Sequence, residues 1–487
     1  MRRSLIIFVL IFLFSFIVLA RDFIFFSGLS GRVIPENSSC FLSLAEYIKN
    51  LEQDTTLIDL GNSLYGSEQS VYYLLNEPEE FKKFILDFYT SYSIIKCIGE
   101  KDLYIEDLLK GLKLFSGNVS SETLNVERYL LSDDFVFIPL SLTATNLIFE
   151  NFQVAEPFKS LSDIFDSLNI TENDSKIVIV GISNMQDINI GSIIEKLDRR
   201  VDLVIFQSEF SGIFDIAGKK AIALSNKDVL KLEIHDNNLE YNFETLPKIK
   251  TEEFTQELER INSWLEKELA IFMYRPKDYG FNGLNPVNTT AEFLARNFSE
   301  IRNAIPLFVF DEARTEQKIT IKDVLQIMDN KTIYRTKISG KELEKLINTL
   351  LKNNLKFETE NINYIVQVND EKPLKWLRYK GKSILKSSSF ELITNMPVSR
   401  EMKFEVISQE FLNIFNKRPV SIKYIKNWYV IDSSFEKEFR YYVVDWGDSI
   451  GALSILFNKD PKLLMDINGI EDPRELMVGS ILIIPIF

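Results

Sequence analysis

Four short polar segments in the first half of the chain each follow an apolar run, and they hold the side chains with the most chemical capacity. They are Ser27–Arg32, Gly61–Gly66, Gly99–Asp102 and Gln207–Ser211. Asn62, Glu100 and Glu209 offer oxygen donors of the kind that hold a hard cation such as Mg or Ca. Lys101 offers a positive charge for an anion. Gly28, Ser30 and Ser211 bring no charge. Imidazole is the missing group: the 487 residues contain 1 histidine, His235. Paired transition-metal sites draw on several histidines, because neutral imidazole suits Zn, Fe and Mn. One histidine cannot build such a site. His235 itself lies in Lys231–Asp236, a strand-and-turn pattern, and is expected at the surface rather than as a ligand. The reading is no metal and no cofactor.

The elements that would carry these segments are legible in the apolar pattern. Phe23–Phe26, Thr56–Leu60, Tyr92–Ile98, Phe135–Leu140, Lys176–Gly181 and Val201–Phe206 are short runs fit for buried strands. Phe41–Leu51 and Pro78–Tyr89 show helical spacing, the second with Phe81, Phe84, Ile85 and Phe88 on one face. Alternating strands and helices predict an α/β layer sandwich. In such folds the loops at the carboxyl ends of strands carry the chemistry.

Composition narrows the class. The length suits about three domains. A chain that is 46% hydrophobic and 26% charged is globular. Its net charge of −14 argues against nucleic acid, which needs a basic stripe to displace counterions. Residues 1–20 combine Arg2 and Arg3 with an apolar run from Leu5 to Ala20, and read as a signal peptide or an uncleaved N-terminal anchor. The basic end faces the cytoplasm in either case, so residues 21–487 are expected outside the membrane, in the periplasm or cell wall.

The strand-and-loop units FIFFSGLSGR and TLIDLGNSLYGS resemble the opening blocks of the calcineurin-like metallophosphoesterases, and specifically their 5′-nucleotidase branch. That branch carries Asn-Asp-x-His-Gly-Arg and Gly-Asp-Ser-x-x-Gly in these loops. The glycines and Arg32 are kept, while the family's Asp and His fall on Gly28 and Ser30 and its bridging Asp on Asn62. Glu100 and Lys101 replace the Asn-His of the next block, and Glu209 and Ser211 replace the last His-x-His. The segment between Gly181 and Val201 is too short for the family's other histidine-bearing unit. The resemblance implies that these seven positions border one crevice that has lost its catalytic residues, so that the body is a pseudoenzyme. It also puts Cys40 and Cys97 near the same end of the sheet, where a disulfide and two separate thiols both remain open.

A charged helix with Phe254, Leu258, Ile261, Leu265 and Leu269 in step is expected from Lys250 to Phe272 as the link between two domains. Beyond it, Asn288–Arg296, Leu307–Arg314, Ile319–Leu325, Thr332–Leu346 and Phe390–Asn395 resemble, in order, the segments of the 5′-nucleotidase C-terminal domain. The resemblance implies an α+β domain that cradles a nucleotide, with Arg314 the one substrate arginine kept. Phe310, Asp311 and Glu312 stand where the family has glycines, and the loop after Asn395 lacks its Gly-Gly-Asp-Gly aromatic motif, so nucleotide recognition is weakened.

Finally, Tyr441–Ile450, Asp460–Ile470 and Leu476–Pro485 resemble a LysM module, Tyr-x-Val-x-x-Gly-Asp-Thr-Leu through Asn-Gly-Ile to a closing strand. The resemblance implies a βααβ unit that binds peptidoglycan or another N-acetylglucosamine glycan through Gly447, Asp448, Ser449, Ile450, Asn468, Gly469 and Ile470. The expected organisation is a leader or anchor (1–20), a degenerate phosphoesterase-like domain (21–245), a linking helix (246–275), a nucleotidase C-terminal-like domain (276–430) and LysM (436–487). The whole reads as an exported envelope protein with a scaffold body whose protein partners are unknown, or alternatively as a phosphoesterase with an altered metal site.

Overall fold

The structure is a computed structural model that describes residues 21–35, 39–51, 55–132, 134–143, 147–172, 176–183, 189–235, 238–273, 287–299, 304–328, 332–367, 371–398, 402–422, 428–431 and 439–486. The leader or anchor expected over residues 1–20 lies outside the described residues. No described helix is long and apolar enough to cross a membrane. The chain divides into two compact units, Met1–Ile261 and Asn262–Phe487.

The first unit is the expected sandwich. β1 (Arg21–Phe26), β2 (Thr56–Asp59) and β3 (Ile95–Cys97) are parallel neighbours in a seven-stranded sheet. The hairpin Asp228–His235/Asn238–Thr245 adds to β1 antiparallel. A six-stranded sheet has four parallel strands at its centre: Phe135–Ser141, Ile177–Ser183, Leu203–Gln207 and Lys219–Leu224. Strand periodicity sorts their side chains by face. Phe23 and Phe25 meet Phe135 and Phe137 between the sheets, ring centroids 4.9 and 5.5 Å apart. Val136 and Ile138 turn the other way and join a core with helix Pro157–Leu168. Both faces are therefore covered, which is why these strands are apolar throughout. Cys40 and Cys97 are buried free thiols.

The linking helix is shorter than its sequence pattern. Helix Thr255–Leu265 stops before Glu268–Phe272, which is a strand paired with Lys318–Thr320 and Val420–Ile422. Leu265 and Leu269 are four apart and fit a helix, but Leu269 lies in the strand at an irregularity between the paired Glu268 and Ala270. Tertiary context decides where local spacing is ambiguous.

In the second unit, Lys356–Thr359, Ala304–Phe310, Ser389–Thr394, Tyr334–Ser339 and Phe404–Val406 are successive neighbours in one sheet. Helix Thr289–Phe298 covers it, capped by Asn288. The expected cap at Thr320 forms a reciprocal box with Asp323, and Ser339 forms another with Glu342. A further sheet contains Leu374–Tyr379, Ile362–Gln367 and Trp428–Ile431. At the C-terminal end, strands Phe439–Val443 and Ile481–Pro485 pair antiparallel and enclose helices Ile450–Phe457 and Pro461–Asn468. This is the expected βααβ unit, with Val444, Leu453, Leu464, Leu482 and Ile484 as its core.

Candidate functional site

The loops after β1, β2 and β3 interlock. Gly28 N–H donates to Gly61 O (3.1 Å), Ser30 N–H to Asn62 O (3.2 Å) and Gly31 N–H to Ser63 O (2.7 Å). Ser30 and Asn62 both take left-handed backbone, with φ of 55° and 58°, a conformation Asn tolerates better than most residues. The Asn62 side chain sits at the centre. Its Oδ1 accepts from Lys101 N–H and its Nδ2 donates to Gln207 Oε1, each at 2.9 Å. Glu100 is buried, and its Oε1 accepts from Tyr104 OH at 2.6 Å. The structure thus brings together Gly28, Ser30, Asn62, Glu100 and Lys101, and adds Gln207, which the motif comparison passed over because it precedes the aligned block. Glu209 is exposed. Ser211 Oγ bonds Asp228 Oδ2 at 2.7 Å. Among the described residues neither Glu209 nor Ser211 hydrogen-bonds to Asn62.

Beneath these loops lies a group the sequence reading missed. Lys96 Nζ is enclosed with Asp59 Oδ2 at 3.1 Å and Asp102 Oδ2 at 2.6 Å, and none of the three side chains is exposed. Asp102 also accepts from Asn62 N–H (2.8 Å) and Gly99 N–H (2.9 Å). Asp59 accepts from Gly61 N–H, from Ser63 Oγ and from Tyr89 OH at 2.6 Å. Burial opposes the Lys96 ammonium, yet the two carboxylates outweigh it and raise its pKa. Burial raises Asp59, while Lys96 pulls it back. A buried ammonium therefore ties the end of β2 to the loop after β3.

A pair of transition metals would need a donor set that these residues do not supply. An amide at position 62 brings no negative charge, both ends of its side chain are engaged within the protein, and Gly28 and Ser30 offer neither a carboxylate nor an imidazole. Among the described residues no group of three or more His, Cys, Asp or Glu is placed to hold a metal ion.

In the second unit Arg314 is half-buried, with Asp323 Oδ1 at 3.4 Å and Gln326 Oε1 at 3.0 Å. Its guanidinium is thus engaged by neighbouring side chains.

In the C-terminal unit, Gly447, Ser449 and Gly469 are exposed. Ser449 caps its helix through Ala452 N–H. Asp448 Oδ2 accepts from Asp445 N–H (2.7 Å) and Tyr442 OH (2.8 Å). Burial and Asp448 push the Tyr442 phenol up to about 12. Gly469 closes its helix at φ 63°, the left-handed cap that favours glycine. Ile470 is half-buried, Ile450 and Asn468 are buried, and Asn468 points inward. Its Nδ2 donates to Leu464 O and Ile483 O, and its Oδ1 accepts from Ile483 N–H. Asn468→Ala is expected to lower stability by about 2–3 kcal/mol, because the Ile483 N–H loses its partner inside the core. Urea unfolding measures this, and an unchanged midpoint would contradict the assignment. Trp446, which the motif reading did not nominate, is 89% exposed beside Gly447. A large apolar ring in a loop is the signal that could have found it.

Comparison with known proteins accords with these two parts. Residues 442–485 match the family model of the LysM domain. No curated protein matches the chain in sequence. Among solved structures, a Staphylococcus aureus protein described as a 5′-nucleotidase, in complex with alpha-ketoglutarate, aligns over 83% of this chain and 100% of its own, with 12% identity and a TM-score of 0.58. The NAD nucleotidase of Haemophilus influenzae aligns over 85% of this chain and 99% of its own, with 10% identity and a TM-score of 0.50. Identity this low carries the fold alone. The chain has a 5′-nucleotidase-like two-domain fold with a LysM domain at its C-terminal end.

Proposed function

We propose that this is an exported envelope protein that its LysM domain addresses to peptidoglycan, and that its 5′-nucleotidase-like body is a non-catalytic scaffold for other envelope proteins. LysM domains generally bind N-acetylglucosamine glycans, and the match over residues 442–485 supports that half of the reading. The observation that carries the other half is Asn62. Its side chain bonds Lys101 N–H and Gln207, and spends on loop closure what a bridging carboxylate would offer to metals. The basic and apolar residues 1–20 support export. Exposed backbone at Gly447 and Gly469, with the Trp446 ring next to Gly447, supplies hydrogen bonds and an apolar platform for a sugar acetamide.

Sedimentation with purified, insoluble peptidoglycan tests the addressing role. The protein is expected in the pellet and is expected to be released by N-acetylglucosamine oligomers. A protein that stays in the supernatant at low and high salt would overturn it.

A further inference from the structure

The net charge of −14 conceals a basic stripe, contrary to the expectation from composition. Residues 372–386 carry Lys372, Lys375, Arg378, Lys380, Lys382 and Lys386 and no acidic residue. The structure folds them as strand Leu374–Tyr379, a tight turn at Lys380 and Gly381 with φ of 48° and 74°, and the short return strand Lys382–Ser383. Lys380 and Lys382 are exposed and Arg378 half-buried. Among the described residues, none of these three pairs with a carboxylate. Arg378 lies over the Trp376 ring, 4.9 Å from its centroid, and the Lys380 ammonium 5.4 Å from that of Tyr379.

Register fixes where this turn sits. Trp376 is opposite Ile365 and Arg378 opposite Asn363, so the four share a face, while Lys382, opposite Tyr379, lies on the other. The shared face carries the LysM strand pair. Ile365 packs with Ile481, the Trp376 ring is 6.3 Å from that of Tyr441, and the Asn363 amide donates to Gly479 O. A Cβ added at Gly381 would stand 3.5 Å from the Val443 side chain. Val443 ends the first LysM strand, and the chain runs from it into Asp445–Ile450, the loop assigned to glycan. The turn is thus built against the root of that loop.

We propose that Arg378 and the turn residue Lys380 extend the LysM surface and bind the carboxylates of peptide stems carried by peptidoglycan. The inference rests on glycan binding by the LysM domain. Charge complementarity selects the occupant, since a bound glycan brings its stem carboxylates to unpaired cations at the edge of the module. The same cations offset the repulsion between an acidic protein and an acidic wall.

The test compares the full chain with its Lys380→Glu variant on three solids: peptidoglycan freed of phosphate polymers, the same material with its stem peptides removed by an amidase, and chitin. Both proteins are first matched in thermal midpoint. The wild type should bind intact peptidoglycan most tightly, with affinity falling as salt rises. The variant should lose about tenfold on intact peptidoglycan and little on the other two solids. Arg378→Gln, which removes one charge without reversing it, should show a smaller loss with the same selectivity. Equal binding of wild type and variant to intact peptidoglycan would overturn the proposal. So would an equal loss on all three solids. A wild type that ignores chitin and stripped glycan would instead overturn the LysM reading beneath it.

Discussion

Replacing Lys96 by methionine is expected to destabilise the protein by about 3–5 kcal/mol, the cost of breaking a buried ion pair from one side. Methionine fills much of the same space but leaves Asp59 and Asp102 facing each other without the ammonium that lies 3.1 and 2.6 Å from them. Burial and, after it, a second carboxylate both raise Asp59 already, and removal of Lys96 takes away the main group that opposes them. The expected consequence is proton uptake by Asp59, so the variant should recover part of its stability in acid. Lys96→Met/Asp59→Asn should be more stable than Lys96→Met alone, because it removes one of the two stranded charges. Urea unfolding at pH 7 and pH 5 measures all of this. A Lys96→Met protein with a wild-type midpoint would mean that the three groups are not coupled as the structure has them.

The second large effect concerns pH. Glu292 is fully buried on helix Thr289–Phe298, with Arg296 Nε donating to its Oε1 at 2.8 Å. Burial, then Glu360, pushes its carboxyl up to about 8, against the pull of Arg296. Burial raises Glu360 as well. A carboxyl raised in the folded state binds its proton more tightly there than in the unfolded chain, where it titrates near 4.5. Its contribution is therefore fully present below about pH 4.5 and is lost as pH rises through about 8. The loss is on the order of 5 kcal/mol. Unfolding midpoints at fixed ionic strength should fall between pH 5 and 8 and then level off with respect to this group. Glu292→Gln keeps an acceptor for Arg296 and removes the proton, so it should flatten the slope and exceed the wild type in stability at pH 8. A variant that keeps the wild-type slope would assign the pH dependence elsewhere.

The legible parts of the chain were those in which local chemistry and tertiary role agree. Phe23–Phe26 and Phe135–Leu140 are apolar because both faces are covered, and Thr320, Ser339 and Gly469 end or begin helices for reasons that act within one turn. The loops after β1 and β2 were legible as a frame because their glycines take backbone that other residues avoid. Three features were hidden. Leu265 and Leu269 fit a helix as well as they fit a helix followed by a strand. The buried triad joins Asp59, Lys96 and Asp102 across β2, β3 and the loop between them and the next element, and nothing in TLID or IIKC marks a charge as internal. The basic turn vanished in the chain-wide balance, where its six cations are outnumbered. Asn468 shows the converse: a motif residue assigned to ligand by resemblance is committed to the core, and the exposed ring beside the loop is Trp446.

The central claim, that the body has exchanged metal chemistry for a self-contained hydrogen-bonded frame, is tested most directly by loading the purified protein with Mn, Co, Zn or Mg, then measuring bound metal and phosphate release from a panel of nucleotides. The account predicts no tightly held metal and no turnover. Stoichiometric metal with turnover that is lost in Glu209→Ala would contradict it, and would make the loops after β1, β2 and β3 part of a rebuilt active site.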